Sequence, residues 1–476
     1  SEAADRPSVQ IGDPFTEKLL IEGILAMVET GKVLSCRDLG AAGLAGASSE
    51  MCSTFGGRIQ AEQVHLRETG MTPVEIMLAE SQERMCLEVA PDDVGLIGGI
   101  AERFDLAWSE IGEVIAEPRY IVTFWNDVVC DLPMDVLIRG APGCSLPEQP
   151  YAAERPFVRP ERPLRELALM VLSHPEVASR AWVYEQYDHD VQVRTVDVGH
   201  DAAVLRLGNA ALVLSCGCNP RQIHLKPYEG TANAVLENAA NLACAGAVPV
   251  GIVNCLNFAS PVHPEVYWQL VQAVRGLGDM ARTLGCPVVG GNVSLYNESD
   301  EHGTQIKPTP SIGMIGRGPI RRWSKPEPGW TLALAGETTP GFGGSVLDAV
   351  TGCGGHAPTI GDPATLVQVR EAIASSERVT ATDLSQGGLL AALATLAPDA
   401  EVELEGDLLE ALFSETPGRF LMAAADPALI ASVPHRVIGR VGGAGLRVTA
   451  PNASLTLQPE EIEAALGTLS RRMADA

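Results

Sequence analysis

An aspartate stands where a short strand gives way to a glycine-rich turn. Residues 33–38 are predicted to form a buried strand that ends on Asp38, and residues 40–43 form the turn before a helix of small residues. A carboxylate in this position is well placed to hold a hard cation, because Mg²⁺ is bound by one or two carboxylates together with phosphate oxygens. The alternative is that Asp38 caps the following helix. Its position alone leaves both interpretations open.

Five polar residues, 80–84, lead directly into a predicted strand. Ion pairing and solvation explain most runs of this kind. A second run, residues 415–419, keeps the first glutamate and the arginine but has Thr-Pro in the middle. We therefore expect the shared glutamate and arginine to be structural, and Ser81 and Gln82 to contact a ligand.

The run 286–297, Cys-Pro-Val-Val-Gly-Gly-Asn-Val-Ser-Leu-Tyr-Asn, carries the most information. A buried strand is expected to end at Gly290 and Gly291, where the backbone can approach a ligand closely. Asn292 and Ser294 then project from the same face, at positions i and i+2. An amide oxygen on a metal and a hydroxyl on a phosphate suit this spacing. The alternative is a tight turn that holds Asn292 in a left-handed conformation.

Three other sequence features limit the kinds of reaction that the chain is expected to catalyse. Residues 227–231 begin a helix and could present its N-terminus to an anion, which is a weak signal alone. Residues 341–345 lack the Gly-Lys-Ser/Thr ending of a phosphate-binding loop, so we interpret them as a structural turn. No Gly-x-Ser-x-Gly or Gly-x-Cys-x-Gly setting for a nucleophile occurs, which argues against covalent acyl chemistry.

The elements that position these residues occur twice. Residues 36–44 resemble residues 381–389, and the flanking segments agree in the same order at an offset of roughly 330 to 350 residues. The flanking pairs are 12–14 with 361–363, 79–85 with 414–420, and 111–114 with 438–441. This pattern predicts a duplicated domain. Because the copies differ at Ser81 and Gln82, we expect the first copy to carry chemistry and the second, with Asp383 as a capping residue, to be structural.

The domain organisation follows from the duplication and from a proline-rich segment. We predict a first repeat domain over residues 1–140, a linker over 141–165, a different domain over 166–330 and the second repeat over 331–476. The visible order is C-like, N-like, C-like. By the logic of duplication we expect a further N-like domain before residue 1.

Composition limits the class of partner. A chain of 476 residues, 46% hydrophobic, suits about three domains. The formal charge of −26 argues against a nucleic-acid backbone as partner. Eleven cysteines, mostly in apolar runs, are typical of reduced thiols in a cytosolic protein, and neither they nor the nine histidines show metal-binding spacing. No membrane span or signal peptide is predicted, so we expect a cytoplasmic protein.

The chain resembles a known family over nearly its whole length. The matching stretches, in family order, are residues 8–14, 37–44, 70–73, 80–84, 186–192, 219–221, 227–230, 256–258 and 290–297. They resemble the synthetase subunit of phosphoribosylformylglycinamidine synthase, in its small bacterial and archaeal form. This family belongs to an AIR synthase-like group that pairs N and C domains of mixed α+β structure. The resemblance implies tandem domains of this kind, present here as C1-N2-C2.

The resemblance also implies a reaction. Formylglycinamide ribonucleotide, ATP and ammonia give the amidine, ADP and phosphate in de novo purine biosynthesis. The γ-phosphoryl group goes to the amide oxygen to form an iminophosphate, which ammonia displaces. Such a step depends on positioning and on neutralising phosphate charge. The implied cofactors are Mg²⁺ and ATP. The implied contacts are Gln10, Glu80, Ser81, Gln82 and Ser294 to substrate, Asn254 and Gly291 to ATP, and Asp38 and Asn292 to magnesium.

The chain departs from the family in two ways. Asn254 stands where family members commonly have Asp, which puts the ATP contact there in doubt, although a carboxamide can still hydrogen-bond. The family's catalytic histidine lies in an N-terminal domain that we do not find in these 476 residues. We therefore expect no catalytic residue in this chain and no full turnover by it alone.

The resemblance also implies partner subunits. Large family members end in a glutaminase domain, which we do not find here, so a separate glutaminase subunit and a small bridging subunit are the implied partners.

An alternative function is a non-catalytic scaffold that holds a nucleotide and docks a glutaminase. A third possibility is another member of the fold group, such as a selenophosphate synthetase. The tandem duplication and residues 290–297 speak against it.

Overall fold

The computed structural model describes residues 12–66, 68–140, 146–299 and 301–474. The chain divides into two compact units, residues 1–145 and residues 146–476. Each unit is described by itself. Among the described residues, no helix combines the length and the apolar character needed to cross a bilayer.

The first unit alternates helices and short strands. Its elements are α1 (Pro14–Glu29), β1 (Val33–Asp38), α2 (Gly43–Met51), β2 (Gly56–Gln60), α3 (Pro73–Leu78), β3 (Met85–Val89), α4 (Val94–Arg103), β4 (Gly112–Ile115), β5 (Arg119–Phe124), β6 (Asp127–Pro133) and α5 (Met134–Arg139).

Local sequence explains where these helices begin. Asp13 accepts hydrogen bonds from the backbone N–H groups of Phe15 (3.1 Å) and Thr16 (3.3 Å), and proline follows it at the first helical position of α1. Before α3, Thr72 and Glu75 form a reciprocal capping box. The carboxylate and hydroxyl oxygens therefore satisfy amide groups that an isolated helix would leave open.

The strands of the first unit form two sheets. β1 and β3 pair antiparallel, and β4-β2-β5-β6 form a four-stranded sheet. Each sheet has its own apolar cluster. One includes Leu44, Ile59 and Tyr120, and the other includes Met27 and Ile100.

The first part of the second unit contains one six-stranded sheet and two long helices. Its elements are α6 (Leu164–Leu172), α7 (Ala181–Tyr184), β7 (Thr195–Asp197), β8 (Ala203–Leu207), β9 (Ala210–Gly217), α8 (Pro220–Leu225), α9 (Pro227–Cys244), β10 (Val248–Asn257), α10 (Pro264–Thr283), β11 (Val288–Ser294), β12 (Glu298–Ser299), β13 (Thr304–Gln305) and β14 (Thr309–Gly318). The sheet order is β11-β10-β14-β9-β8-β7, so β11 forms one edge.

The rest of the second unit repeats the plan of the first. Its elements are β15 (Thr331–Ala335), α11 (Val346–Thr351), α12 (Thr365–Ser375), β16 (Val379–Asp383), α13 (Gly388–Leu396), β17 (Ala400–Glu403), α14 (Leu408–Phe413), β18 (Phe420–Ala424), β19 (His435–Val441), β20 (Leu446–Ala450), β21 (Ala453–Leu457), α15 (Pro459–Leu466) and α16 (Thr468–Ala474). All seven strands join one sheet, in the order β16-β18-β15-β19-β17-β20-β21.

The core of the second unit is continuous across its two parts. α9 is buried along almost its whole length, and its side chains share one apolar cluster with β10, α10 and α12. A second cluster fills the other face of the seven-stranded sheet. An 18-residue helix of small residues fits between two layers because Ala and Gly allow close backbone approach.

One predicted strand end is wrong. The sequence predicted that a buried strand stops at Gly290 and Gly291, whereas β11 continues through both glycines to Ser294 and is exposed. Parallel pairing with β10 keeps the glycines in register, with Gly290 opposite Val253 and Gly291 opposite Asn254. The absence of side chains at these two positions does not end a strand when a neighbouring strand supplies the hydrogen bonds.

Candidate functional site

Asp38 occupies the end of β1 in the first unit, and its side chain is exposed. β1 runs antiparallel to β3, with Asp38 directly opposite Met85. Met85 is the residue that follows the polar run 80–84. The N-cap of α2 is Ala42, which makes no side-chain hydrogen bond, so the capping interpretation of Asp38 is wrong. The pairing therefore brings the Asp38 carboxylate and the polar run to the same end of the sheet.

A close backbone approach holds the turn after Asp38 against the polar run. A Cβ built on Gly43, which has a φ of +53°, lies 2.4 Å from the Ala79 carbonyl oxygen. Arg84 donates from Nη2 to that same oxygen (2.7 Å) and from Nε to the Ser81 carbonyl (3.3 Å). Arg84 thus shapes the loop, as predicted for the shared arginine. Gln82 is half-buried in the loop that Arg84 orders.

In the second unit, β10 and β11 assemble the other predicted residues. Asn254 lies opposite Gly291, and the next pairs along the strands are Cys255 with Asn292 and Asn257 with Ser294. Alternation along β11 therefore places Asn292 and Ser294 on one face, as the sequence predicted. Asn292 is exposed and has ordinary strand geometry, so the left-handed turn offered as the alternative is wrong.

The side chains on this face make few polar contacts. Asn292 Nδ2 lies 3.8 Å from Cys255 Sγ, and the Ser294 hydroxyl lies 3.5 Å from Asn297 Oδ1. Both contacts are long for hydrogen bonds. The amide and the hydroxyl can therefore turn towards a ligand at little cost.

Asn254 belongs to the opposite face of the strand pair. A Cβ built on Gly291 lies 2.5 Å from Asn254 Oδ1 and 2.8 Å from Nδ2. The carboxamide thus fills the space that a side chain at position 291 would need. A glycine at 291 therefore leaves room for the Asn254 carboxamide against the backbone of β11.

Two parts of the predicted site stay predictions. Gln10 lies outside the described residues. Asp38 and Asn292 belong to different units, so their convergence on one magnesium ion also remains a prediction. Among the described residues, no group of three or more His, Cys, Asp and Glu side chains is arranged to hold a metal. A magnesium ion at Asp38 therefore requires oxygens from amides or phosphates, which suits the predicted donor set.

The second unit contains a polar cleft that the sequence did not predict. It lies between α8 and α9 on one side and the second repeat on the other. Its acidic lining consists of Glu237, Asp383 and Glu415. Asp383 and Glu415 are the counterparts of Asp38 and Glu80. The prediction that Asp383 caps a helix is wrong, because the N-cap of α13 is Gly387 and no side chain caps the helix.

The acidic residues in this part of the second unit are buried, and burial raises their pKa values. Asp383 is 8% exposed and Glu415 is 3% exposed. Burial raises the pKa of Glu415 to about 7, although it accepts hydrogen bonds from the backbone N–H groups of Val346 and Gly387, each at 2.8 Å. Burial and repulsion by Asp201 and Glu237 raise the pKa of Asp383. Charge in this cleft is therefore costly unless a proton or a cation offsets it.

A signal for this cleft was present in the sequence. α9 consists mostly of small residues, yet it also carries Glu237 and the asparagines at 233, 238 and 241. Amides and a carboxylate in a helix buried on every side need polar partners. Ser215 supplies one set, since its hydroxyl donates to Asn238 Oδ1 (2.8 Å) and accepts from Asn241 Nδ2 (3.0 Å).

Comparisons with known proteins identify the domains. Residues 199–318 match the model of the AIR synthase related protein N-terminal domain. Residues 1–124 and 327–448 each match the model of the AIR synthase related protein C-terminal domain.

A curated relative decides the family. Phosphoribosylformylglycinamidine synthase subunit PurL of Methanosarcina acetivorans is 46% identical over 498 aligned positions, which cover 99% of this chain and 70% of the relative. The chain belongs to the PurL family. The predicted family is confirmed, and so is the predicted enzyme class, an ATP-dependent ligase.

Solved PurL structures share the fold. A Thermotoga maritima PurL described as complexed with ATP has a TM-score of 0.67 at 29% identity, over 90% of this chain and 67% of that one. One described as complexed with FGAR has a TM-score of 0.68 at 28% identity, over 91% and 66%. A structure of PurLQS from the same organism has a TM-score of 0.69 at 29% identity, over 91% and 68%. The predicted C-N-C arrangement of mixed α and β domains is confirmed.

Proposed function

We propose that this PurL-family chain carries out the ATP-dependent amidation of formylglycinamide ribonucleotide in purine biosynthesis, with ammonia derived from glutamine. The observation that carries the proposal is the alignment with a relative of that name over 99% of the chain. It is supported by the Thermotoga maritima structures described with ATP and with FGAR.

The substrate contacts come from both units. In the first, Glu80, Ser81 and Gln82 lie on the loop that Arg84 orders. In the second, the Ser294 hydroxyl contacts Oδ1 and Nδ2 of Asn297 at 3.5 Å and 3.4 Å. Hydroxyl and amide groups of this kind orient a ribonucleotide phosphate and the reacting amide by hydrogen bonds. Gln10 completes the proposed set.

The nucleotide contacts are Asn254 and Gly291, which pair across β10 and β11. Gly291 lets the nucleotide approach the strand backbone closely. Asn254 offers both a donor and an acceptor, whereas the aspartate common in the family accepts only. We expect the chain to bind nucleotide with asparagine at position 254. The electrostatic contribution to its affinity should differ, because a carboxamide carries no charge.

Asp38 and Asn292 are the proposed magnesium ligands. Asp38 ends β1 exposed to solvent, and Asn292 carries an amide oxygen on the open face of β11. One carboxylate and one amide leave coordination positions for phosphate oxygens, which is how Mg²⁺ is held in many phosphoryl-transfer sites. When bound, the ion neutralises charge on the transferring phosphate.

The proposed reaction has two steps. The amide oxygen of formylglycinamide ribonucleotide attacks the γ-phosphorus of ATP, releasing ADP and forming an iminophosphate. Ammonia then attacks the carbon, and phosphate leaves with the former amide oxygen. Ser81, Gln82 and Ser294 hold the substrate so that these atoms meet, which is where most of the rate gain in such reactions arises.

Two partner subunits complete the proposal. A separate glutaminase supplies the ammonia and a small bridging subunit joins it to this chain. The structure of PurLQS from Thermotoga maritima is named for an assembly of more than PurL alone, which supports this arrangement.

A second candidate function rests on the cleft in the second unit. There the chain would hold a nucleotide without turning it over and serve as a scaffold for a glutaminase. The acidic lining, Glu237, Asp383 and Glu415, would need a cation between it and a phosphate. The two functions differ in which repeat matters. The ligase depends on Asp38 in the first repeat, whereas the scaffold depends on the cleft beside the second repeat.

Isotope transfer tests the proposed reaction. Substrate labelled with ¹⁸O in its amide is converted with MgATP and ammonium chloride by the complete enzyme that contains this chain. We expect the label in inorganic phosphate. Label released to water would contradict the iminophosphate.

Binding measurements test the site. Isothermal titration calorimetry of the chain with formylglycinamide ribonucleotide should show weaker binding for Ser294→Ala by roughly 5- to 10-fold, the worth of one hydrogen bond. Ser299→Ala, a change of the same size on β12, serves as the control. Equal loss in both variants would remove Ser294 from the site. No binding of substrate or of MgATP to the chain would count against the ligase reading.

A further inference from the structure

The two C-type repeats form the same left-handed turn with different residues. In the second repeat the turn falls on Gly418, with a φ of +77°, and in the first it falls on Glu83, with a φ of +53°. Each residue stands directly before the shared arginine, Arg419 or Arg84. A left-handed conformation suits glycine but strains a residue that has a Cβ. Strain of this kind is concentrated at functional sites, so the glutamate at position 83 calls for a role.

The shape of the turn does not itself require a side chain at position 83. In each repeat the arginine donates hydrogen bonds to the backbone carbonyls of the residues three and five positions before it. The second repeat keeps its turn with this arginine and a glycine. The difference between Glu83 and Gly418 is therefore not explained by the fold that the two repeats share.

The Glu83 side chain contacts a segment 70 residues away in sequence. Its Oε1 accepts a hydrogen bond from the backbone N–H of Asp13 at 2.8 Å. Asp13 is the N-cap of α1, and its own carboxylate accepts from N–H groups of the first helical turn. Glu83 thus ties the polar run to one end of a 16-residue helix. The helix dipole favours a negative charge at that end.

The second repeat brings the corresponding segments together without a side chain. Asp362 is the counterpart of Asp13, and a Cβ built on Gly418 lies 2.8 Å from the Asp362 carbonyl oxygen. The backbones are therefore in direct contact there. The second loop is also stiffened by Pro417, whereas the first has Gln82 at that position. The first loop depends on a side-chain hydrogen bond for an attachment that the second obtains from packing.

The residues held by this attachment are Ser81 and Gln82, which immediately precede Glu83. Arg84 binds the Ser81 carbonyl (3.3 Å) on one side of the pair, and the Glu83 bond to Asp13 holds the other side. Side chains on a loop bind a ligand more tightly when the loop is already ordered, because binding then does not have to order it.

We propose that Glu83 is a positioning residue for substrate binding by the first repeat. Through the hydrogen bond to the Asp13 N–H, its carboxylate holds Ser81 and Gln82 in the conformation that binds substrate. Glu83 acts through these two residues and does not touch the substrate itself. The inference rests on the proposed function, because it takes formylglycinamide ribonucleotide as the ligand of this loop.

Calorimetric titration of the full chain with formylglycinamide ribonucleotide, and separately with MgATP, tests this role. Glu83→Gly should weaken substrate binding about tenfold, because glycine keeps the turn but releases the loop from α1. Glu83→Gln keeps an oxygen for the Asp13 N–H and should recover most of the affinity. MgATP affinity should be the same in all three chains, since the proposed nucleotide contacts lie in the second unit.

Asp105→Gly is the matched control. Asp105 also has a left-handed backbone, with a φ of +56°, and it lies just after α4, outside the polar run. Its replacement relieves the same kind of strain and should leave substrate affinity unchanged. Thermal unfolding checks that each variant folds, which we expect because glycine is already the residue of the second repeat at the position of Glu83.

Hydrogen exchange of the ligand-free chain gives a second readout. Exchange around Asp13 and over residues 80–84 should be faster in Glu83→Gly than in wild type, and unchanged in Asp105→Gly. Unchanged exchange there would overturn the proposal. So would unchanged substrate affinity in Glu83→Gly, or an equal loss in Asp105→Gly.

Two further outcomes are distinguished by the titrations. An equal loss in Glu83→Gln and Glu83→Gly would overturn the positioning role, because the charge of Glu83 and not its bond to Asp13 would then matter. Absence of substrate binding by the wild-type chain would contradict the proposed function itself, and the positioning role would fall with it.

Discussion

The two C-type repeats have one backbone plan and opposite surroundings. In the first repeat, Asp38 is exposed and the run beginning at Glu80 is half-buried. In the second, Asp383 and Glu415 occupy the corresponding places and are 8% and 3% exposed. Both repeats use an arginine to tie the polar loop, and both press a glycine against that loop.

The difference lies in what covers the repeat. In the second unit, α8 and α9 of the N-type domain face the repeat and carry Gln222 and Glu237 to it. Gln222 donates to Glu415 (3.2 Å), and Gln386 of the repeat donates to Glu237 (3.4 Å). The electrostatics of a C-type repeat are therefore set by its N-type neighbour and not by its own fold.

The largest expected effect separates the two aspartates. Asp38→Asn should lower kcat/KM for amidine formation by roughly 10²- to 10³-fold, because the carboxylate proposed to hold the magnesium ion becomes neutral. Asp383→Asn should leave kcat/KM unchanged. The assay uses the complete enzyme with ammonium chloride, so that glutaminase activity does not enter.

Circular dichroism is the control for both variants. A folded Asp38→Asn enzyme with full activity would show that the first repeat is not the catalytic one. A collapse of activity in Asp383→Asn instead would transfer the role to the second repeat.

Loss of the loop arginines should cost stability unequally. Arg419 is 1% exposed and donates to the Thr416 carbonyl (3.1 Å), the Thr338 hydroxyl (2.8 Å) and the Ser414 carbonyl. Arg419→Ala should lower the free energy of unfolding by about 3–5 kcal/mol, since buried carbonyl groups lose their donor. Arg84→Ala should cost about 1–2 kcal/mol, because its surroundings are half-open.

Urea unfolding measures both changes. Arg436→Ala, which breaks only an exposed ion pair with Glu405, should cost less than about 0.5 kcal/mol and serves as the control. Equal losses at positions 84 and 419 would mean that the repeats are equally buried in solution.

The pH dependence of stability should report on the burial of Glu415 in the second repeat. Burial raises the pKa of Glu415 from its ordinary 4.5 to about 7. Between these values the unfolded chain releases the proton while the folded chain keeps it. Stability from this group is therefore complete below pH 4.5 and is lost as pH rises to 7, by about 3 kcal/mol.

Glu415→Gln should remove that share of the pH dependence and stabilise the protein at pH 8 relative to wild type. Glutamine keeps an oxygen for the backbone N–H groups of Val346 and Gly387. Unfolding midpoints in urea at pH 5 and pH 8 give the comparison, and an unchanged slope for Glu415→Gln would contradict it.

The smallest expected effect concerns the helices that precede each sheet. Val369→Ala on α12 should cost about 2 kcal/mol, because Val369 is fully buried against the N-type domain. Leu25→Ala on α1 should cost less than about 0.5 kcal/mol, because Leu25 is 56% exposed. Thermal unfolding followed by calorimetry tests both, and a large loss at Leu25 would show that its face of α1 is covered.

Much of the fold could be predicted from sequence. The bounds of β1 agree with the strand predicted over residues 33–38, and β3 begins at Met85, directly after the polar run, as predicted. These elements have strong local signals, such as apolar runs flanked by proline or glycine. β11 was predicted poorly, because its passage through Gly290 and Gly291 depends on pairing with β10, which no local pattern contains.

Features of the candidate site could be predicted from sequence only where they depend on the residue's own strand or helix. The shared face of Asn292 and Ser294 follows from alternation along a strand. The raised pKa values of Glu237 and Glu415 do not, because they arise from burial between elements far apart in the chain. The motif around Asp383 resembles the motif around Asp38, and sequence alone suggested helix capping for Asp383, because the residues that bury its carboxylate lie far from it in the chain.

The contact between Asn254 and Gly291 constrains how this site can evolve. A Cβ at position 291 would lie 2.5 Å from the carboxamide oxygen of Asn254, well inside contact distance. Alanine at 291 therefore requires the Asn254 side chain to move aside or a smaller residue to replace it. Two positions 37 residues apart in sequence are thus coupled by one contact, and the effect of a substitution at either depends on the residue at the other.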